Sequence, residues 1–106
     1  MGETANAIEA KYPGKVIDVD KPVYRQDGTL LTDYDIELDN MIIQVKKGGG
    51  KGATTQAINT AASTSREVIV YLPDQKPGAA VVKGLQKEGF KVFTKGMLND
   101  LLDYIK

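Results

Sequence analysis

Polar and apolar positions alternate without a break from Thr32 to Asp39. Thr32, Tyr34, Ile36 and Leu38 fall on one side, and Asp33, Asp35, Glu37 and Asp39 on the other. Side chains of a strand alternate with period two, so this stretch predicts a strand with one apolar and one acidic face. Asp39-Asn40 suits a two-residue turn, because both residue types tolerate positive φ. Met41 to Lys47 then returns as a second arm. The predicted register sets Leu38 against Met41, Ile36 against Ile43 and Tyr34 against Val45, which makes one continuous apolar face. On the other face Asp35 meets Gln44 and Asp33 meets Lys46. A slip of one residue would ruin both faces.

The same reading extends along the chain. Residues 3–12 predict a helix of good formers stopped by Pro13-Gly14, with Ala5, Ala7, Ile8 and Tyr12 as its apolar side. Residues 15–24 alternate Val16, Asp18 and Asp20 against Ile17 and Val19, a strand ending near Pro22. Gln26-Asp27-Gly28 is a turn signal. Lys47 to Gly52 is too glycine-rich for regular structure. Ala53 to Ser63 predicts a small-residue helix that packs through Ala57, Ile58, Ala61 and Ala62. Arg66 to Leu72 is a short apolar run with the marks of a buried strand. Pro77 opens a helix through Lys87 that stops at Gly89, and Phe90 to Phe93 is a further strand. With Thr94 as N-cap, Met97, Leu98, Leu101, Leu102 and Ile105 keep the spacing of a final amphipathic helix. An antiparallel hairpin feeding crossover helices predicts an α/β fold, a mixed sheet with helices on both faces.

Composition narrows the chemistry. The 106 residues predict one domain, 1–106, with hydrophobic and charged content ordinary for a globular protein. No apolar run approaches the ~20 residues that span a bilayer, and no signal-peptide pattern is expected at the start. The chain has no Cys and no His. That excludes a disulfide framework, thiolate or imidazole zinc sites, the Ser-His-Asp triad and paired-His ribonuclease chemistry. The zero net charge hides a division: residues 1–40 hold nine acids and four bases, and residues 41–106 hold five acids and ten bases. An acidic half beside a basic half suits a metal-dependent enzyme acting on a polyanion.

Several carboxylates on one side of one strand repel one another. They are tolerable on a solvated face or beside a divalent cation. Gln44 and Lys46 arrive on that face, just before a glycine-rich loop. A carboxylate and an amide oxygen can ligate Mg²⁺, while an ammonium can orient water or steady a phosphorane-like charge. The loop GGGKGATT does not meet the phosphate-loop pattern, since Lys51 is followed by Gly52. Its backbone N–H groups could touch a nucleic-acid phosphate, or it is a plain connector.

Asp35, a short turn and then Gln44-Val45-Lys46 resemble the core of the PD-(D/E)xK nucleases, whose fold is restriction-endonuclease-like. The run from Asn6-Ala7-Ile8-Glu9 through Gly28, DIELDNMIIQVKKGGGKG and VIVYLPD looks like the toxin domains of that fold. Those domains lie at the C-termini of filamentous-haemagglutinin-type and contact-dependent growth inhibition proteins. The resemblance implies a mixed sheet of about five strands flanked by helices, and Mg²⁺-dependent hydrolysis of phosphodiesters, with Mn²⁺ as a substitute. It also implies a cognate immunity protein, and export within a larger effector into the cytoplasm of a target bacterium. It makes Asp35 the metal-binding aspartate, Gln44 the Glu-or-Gln position and Lys46 the catalytic lysine. Glu9 matches the first-helix glutamate, with Glu3 as competitor. The implied metal ligands are Asp35, Gln44, the Val45 carbonyl and Glu9. Lys47, Lys51 and Gln56 are the expected nucleic-acid contacts, with transfer RNA ahead of DNA as substrate. A non-catalytic binding module using the acidic face, or a small nucleotide-binding protein using the loop, are the readings from other classes.

Overall fold

A computed structural model of the chain describes residues 2–105. Its elements follow the predicted order: α1 (Gly2–Lys11), β1 (Val16–Tyr24), β2 (Leu30–Leu38), β3 (Met41–Val45), α2 (Ala53–Ser63), β4 (Glu67–Tyr71), α3 (Ala80–Lys87), β5 (Lys91–Phe93) and α4 (Leu98–Ile105). The five strands form one sheet in the order β1-β2-β3-β4-β5. β1, β2 and β3 are an antiparallel meander, while β3, β4 and β5 run parallel, joined through α2 and α3. The fold is therefore mixed α/β with helices on both faces of a mixed sheet. No helix among the described residues is long and apolar enough to cross a membrane.

Alternation along each strand divides the core. Ile36, Leu38, Met41, Ile43, Val45, Ile69, Tyr71 and Phe93 pack against Ala5 and Ile8 of α1 and against Leu101, Leu102 and Ile105 of α4. Val70, Leu72 and Val92 pack on the other face with Ala53 and Ala57 of α2 and with Val82 and Leu85 of α3. Some predicted details differ. The buried side of α2 is Ala53, Ala57 and Thr60, while Ile58, Ala61 and Ala62 face outward. Thr94 does not cap α4: its N–H and hydroxyl point to the Met97 sulfur, and the helix starts at Leu98. β1 runs past Pro22, which lies opposite Asp33. An edge strand tolerates that proline because one side of its backbone has no ladder partner.

Candidate functional site

The hairpin register holds at its turn end and breaks at Asp35. Ile36 pairs with Ile43 and Glu37 with Ile42, and the β2–β3 ladder goes no further. Beyond it, side chains replace backbone. Gln44 Oε1 accepts the Asp35 N–H at 3.1 Å, and Gln44 Nε2 donates to the Asp33 carbonyl at 2.7 Å and to Thr60 Oγ1 at 2.5 Å. Asp35 Oδ2 in turn accepts the Val45 N–H at 2.8 Å. The orientation of the amide is forced, because a backbone N–H only donates and a carbonyl only accepts. Thr60 gives its own proton to the Gln56 carbonyl, so it accepts from both Gln44 and Thr32. Across from Asp35 lies Asp20, between the pairs Val19–Ile36 and Lys21–Tyr34, with φ at 51°. Aspartate is among the few residues that visit that region readily.

This break switches faces. Tyr34 reaches α2, bonded to Ser63 and clustered with Ile42 and Val68, while Ile36 and Leu38 face α1 and α4. The expected continuous apolar face from Tyr34 to Leu38 is therefore corrected: it changes sides at Asp35. The expected open acidic face is corrected as well. Glu37 is buried and neutralised by Arg66 at 2.8 Å and Lys21 at 3.3 Å. Burial pushes its carboxyl up, but those two cations together hold it below the usual value. Asp33 and Lys46 do not form an ion pair among the described residues.

Asp35 is different. It is 7% exposed, and no cationic side chain pairs with it among the described residues. Burial raises its pKa to about 6. The Val45 N–H opposes that rise, and the Asp20 and Asp33 carboxylates add to it. Every buried side-chain oxygen among the described residues has a hydrogen-bond partner, whereas Asp35 Oδ1 has none, so Oδ1 meets solvent. One oxygen is thus fixed by the fold and the other faces out.

These groups gather at the carboxyl ends of the parallel strands, where open α/β sheets bind ligands. Lys46 directly follows β3, its N–H bonded to the Tyr71 carbonyl at the end of β4. Its half-buried side chain has no partner among the described residues. The glycine loop is clasped by the turn after β4. Asp74 Oδ2 accepts the Gly48 N–H at 2.7 Å, and Gln75 Nε2 donates to the Gly48 carbonyl at 2.5 Å. Gly50 is packed on Val81, and a Cβ there would lie 3.2 Å from that side chain. Between β2 and the first turns of α2 opens a cleft of about 480 Å³, lined by Thr32, Asp33, Gly52, Thr55, Gln56 and Asn59, with Leu31 as the apolar wall.

No family model, curated protein or solved structure matches this chain. The site therefore stands on its geometry.

The structure brings Asp35, Lys46, the loop bearing Lys47 and Lys51, and Gln56 to one end of the sheet. It places Glu9 elsewhere. The Glu9 carboxylate accepts the N–H groups of Gly14 and Val16, tying the end of α1 to the start of β1. Those two bonds, Val16 first, hold its carboxyl below the usual value. Val16 pairs with Leu38, three residues or roughly 10 Å along β2 from Asp35. Glu3, by contrast, lies close enough to Tyr71 to raise its hydroxyl pKa, after burial and Asp74, and Tyr71 pairs with Val45. Gln44 is 3% exposed, with both amide ends committed to the fold. Among the described residues no group of three ligating side chains is already gathered for a metal ion. Sequence reading missed Asp20 and the Thr60 hub. One polar residue inside the apolar run MIIQV was the available signal for a buried, fully bonded amide.

Proposed function

We propose that the chain is a metal-dependent phosphodiesterase, a nuclease of the restriction-endonuclease-like toxin class, with Asp35 and Lys46 as its central pair. The observation that supports it most is Asp35 itself. A carboxylate held in place by the Val45 N–H, buried, without a cationic side-chain partner among the described residues and with one oxygen open is costly to a fold and useful to a cation. Mg²⁺ is commonly held by one or two carboxylates together with water and substrate phosphate, rather than by a cage of protein ligands. Asp35 with Asp20 across the strand fits that mode. Gln44 and Glu9 serve instead as structural supports of the strand and of the helix end.

Bound Mg²⁺ would supply an acidified water and charge neutralisation at the phosphate. The chain's own residues do the rest. The Val45 N–H fixes the rotation of the Asp35 carboxylate, and Gln44 fixes the backbone that carries it. Lys46, next to Val45, presents an ammonium without a partner among the described residues, which holds the attacking water or a phosphate oxygen in place. Lys47 and Lys51 are exposed on the loop and contact the polyanion backbone. In this reading the domain acts after delivery into a competing bacterium, with transfer RNA as favoured substrate and an immunity protein protecting the producer.

Incubating the protein with total cellular RNA and with plasmid DNA, in Mg²⁺ or in EDTA, tests it. Cleavage of RNA that needs the metal is expected. Cleavage of plasmid alone would turn the reading to a DNase of the same fold. Cleavage in EDTA, or of nothing, would reject the mechanism.

A further inference from the structure

Three loops meet at the carboxyl ends of the parallel strands: residues 46–52 after β3, 72–79 after β4 and 94–97 after β5. They hold five lysines, Lys46, Lys47, Lys51, Lys76 and Lys95, against one acid, Asp74. None of the five makes an ion pair among the described residues, and all but the half-buried Lys46 are exposed. The segments at the opposite ends of the same strands, 39–40, 64–67 and 87–91, are balanced. Asp39, Glu67 and Glu88 stand there against Arg66, Lys87 and Lys91. Arg66 is bonded to Glu37, and Lys91 lies over the Phe93 and Tyr104 rings. The surplus of open positive charge thus gathers at the end of the sheet that bears Asp35.

Backbone bonds align these lysines. Gly48, next to Lys47, gives its N–H to Asp74 and takes the Gln75 amide on its carbonyl. The carbonyl of Gln75, next to Lys76, accepts the Lys95 N–H at 2.9 Å. Each loop is therefore bonded to the next, and Lys47, Lys76 and Lys95 follow the strand order β3, β4, β5. Neighbouring strands lie about 4.8 Å apart, so the row from Lys46 to Lys95 crosses roughly 10 Å of the rim. Like charges held that close repel one another, and a polyanion laid along them relieves the repulsion.

Charge also sets a direction across the sheet. On one flank of Asp35, β1 and β2 bring the Asp20 and Asp33 carboxylates close enough to disfavour its ionisation. Those carboxylates repel a phosphodiester strand, while the lysines on the other flank draw it on. We infer that the rim is a backbone track. The nucleic-acid strand leaving the phosphate at Asp35 turns away from β1 and crosses the ends of β3, β4 and β5 over Lys46, Lys47, Lys76 and Lys95. Lysines used this way position a strand and read no sequence, as in grooves that follow single-stranded backbones. The inference rests on the phosphodiesterase reading for where the strand begins, and on the bonded loops for its course.

Binding of a fluorescein-labelled oligouridylate of about twelve nucleotides tests the track without cleavage. The protein carries Asp35→Asn, EDTA is present, and anisotropy is followed from about 50 to 300 mM NaCl. Adding Lys76→Gln and Lys95→Gln together should make the slope of log K against log salt shallower by about 1.4, or about 0.7 for each lysine. At about 0.1 M salt that weakens binding about 25-fold. Lys83→Gln with Lys87→Gln removes the same charge from the exposed side of α3, away from the rim, and should change Kd by less than about threefold. Equal weakening by the two pairs would reduce the effect to net charge and overturn the track. So would failure of the Asp35→Asn protein to bind the oligonucleotide. Metal-dependent cleavage of total RNA by wild type, with binding unmoved by the Lys76 and Lys95 changes, would overturn the track and leave the nuclease reading standing. Binding that depends on Lys76 and Lys95, with no cleavage by wild type in Mg²⁺, would support the track and overturn the nuclease reading.

Discussion

Replacing Asp35 by Asn should make this protein more stable, by an amount that depends on pH. The folded protein holds the Asp35 proton more tightly than the unfolded chain does, since burial lifts the pKa from 3.8 to about 6. Folding therefore takes up a proton between those values, and stability falls as pH rises through that window. At about 1.4 kcal/mol per tenfold change in proton affinity, the ionised carboxylate costs about 3 kcal/mol above pH 6. The cost disappears below pH 3.8. One oxygen meets solvent, so about 2 kcal/mol is the expected gain for the neutral isostere at pH 7.5. Asn keeps an oxygen for the Val45 N–H, whereas Asp35→Ala would strand that buried donor at a cost of about 1–3 kcal/mol. Asn should therefore stabilise and Ala should not.

Urea unfolding of wild type and Asp35→Asn in EDTA, from pH 3.5 to 8, checks this. Glu37 titrates with the opposite sign, its contribution present above its unfolded value of 4.5 and lost as pH falls. It is common to both proteins and cancels in the difference. A difference that stays flat with pH, or a less stable Asn variant at pH 7.5, would refute the reasoning.

Arg66→Ala should destabilise by about 2 kcal/mol, because it strips a half-buried charged partner from the buried Glu37 and leaves it Lys21; a thermal melt at pH 7 reads this. Gln44→Glu should also destabilise in EDTA, by at least about 2 kcal/mol. It removes the donor to Asp33 and Thr60 and puts a second carboxylate beside Asp35, and an unchanged midpoint would contradict the network. Lys46→Ala should leave the melting temperature within about 2 °C, since its side chain bonds none of the described residues, yet lower the cleavage rate by about 100-fold or more. Gly50→Ala should cost about 1 kcal/mol or more, because φ is +74° and Val81 stands against the added methyl; a denaturation midpoint checks it.

The element order was legible because each stretch of this chain has one clear period, and the Ile36–Ile43 register followed from two matching faces. The site was not legible in the same way. Alternation treats every residue as projecting above or below the sheet, whereas Asp35 and Gln44 turn their side chains into the ladder itself. Local sequence carries no mark of that, and it moves Tyr34 to the other face. Glu37 looked like one more exposed acid because its main partner, Arg66, lies 29 residues away on the far side of α2. Thr60 read as one of several small helix residues until the fold placed it under Gln44 and Thr32. The positive φ of Asp20 depends on its place across from Asp35, which only the assembled sheet determines.

The central claim is that Asp35 is kept, at a cost to the fold, for a cation and the chemistry at a phosphate. Melting wild type and Asp35→Asn in EDTA and in Mg²⁺, with cleavage of total RNA measured on the same samples, tests it most directly. The account predicts that Asn raises the melting temperature by roughly 8 °C in EDTA and abolishes cleavage. It also predicts that Mg²⁺ stabilises wild type and leaves the variant unmoved. An Asn variant that is more stable and cleaves as well as wild type would contradict it.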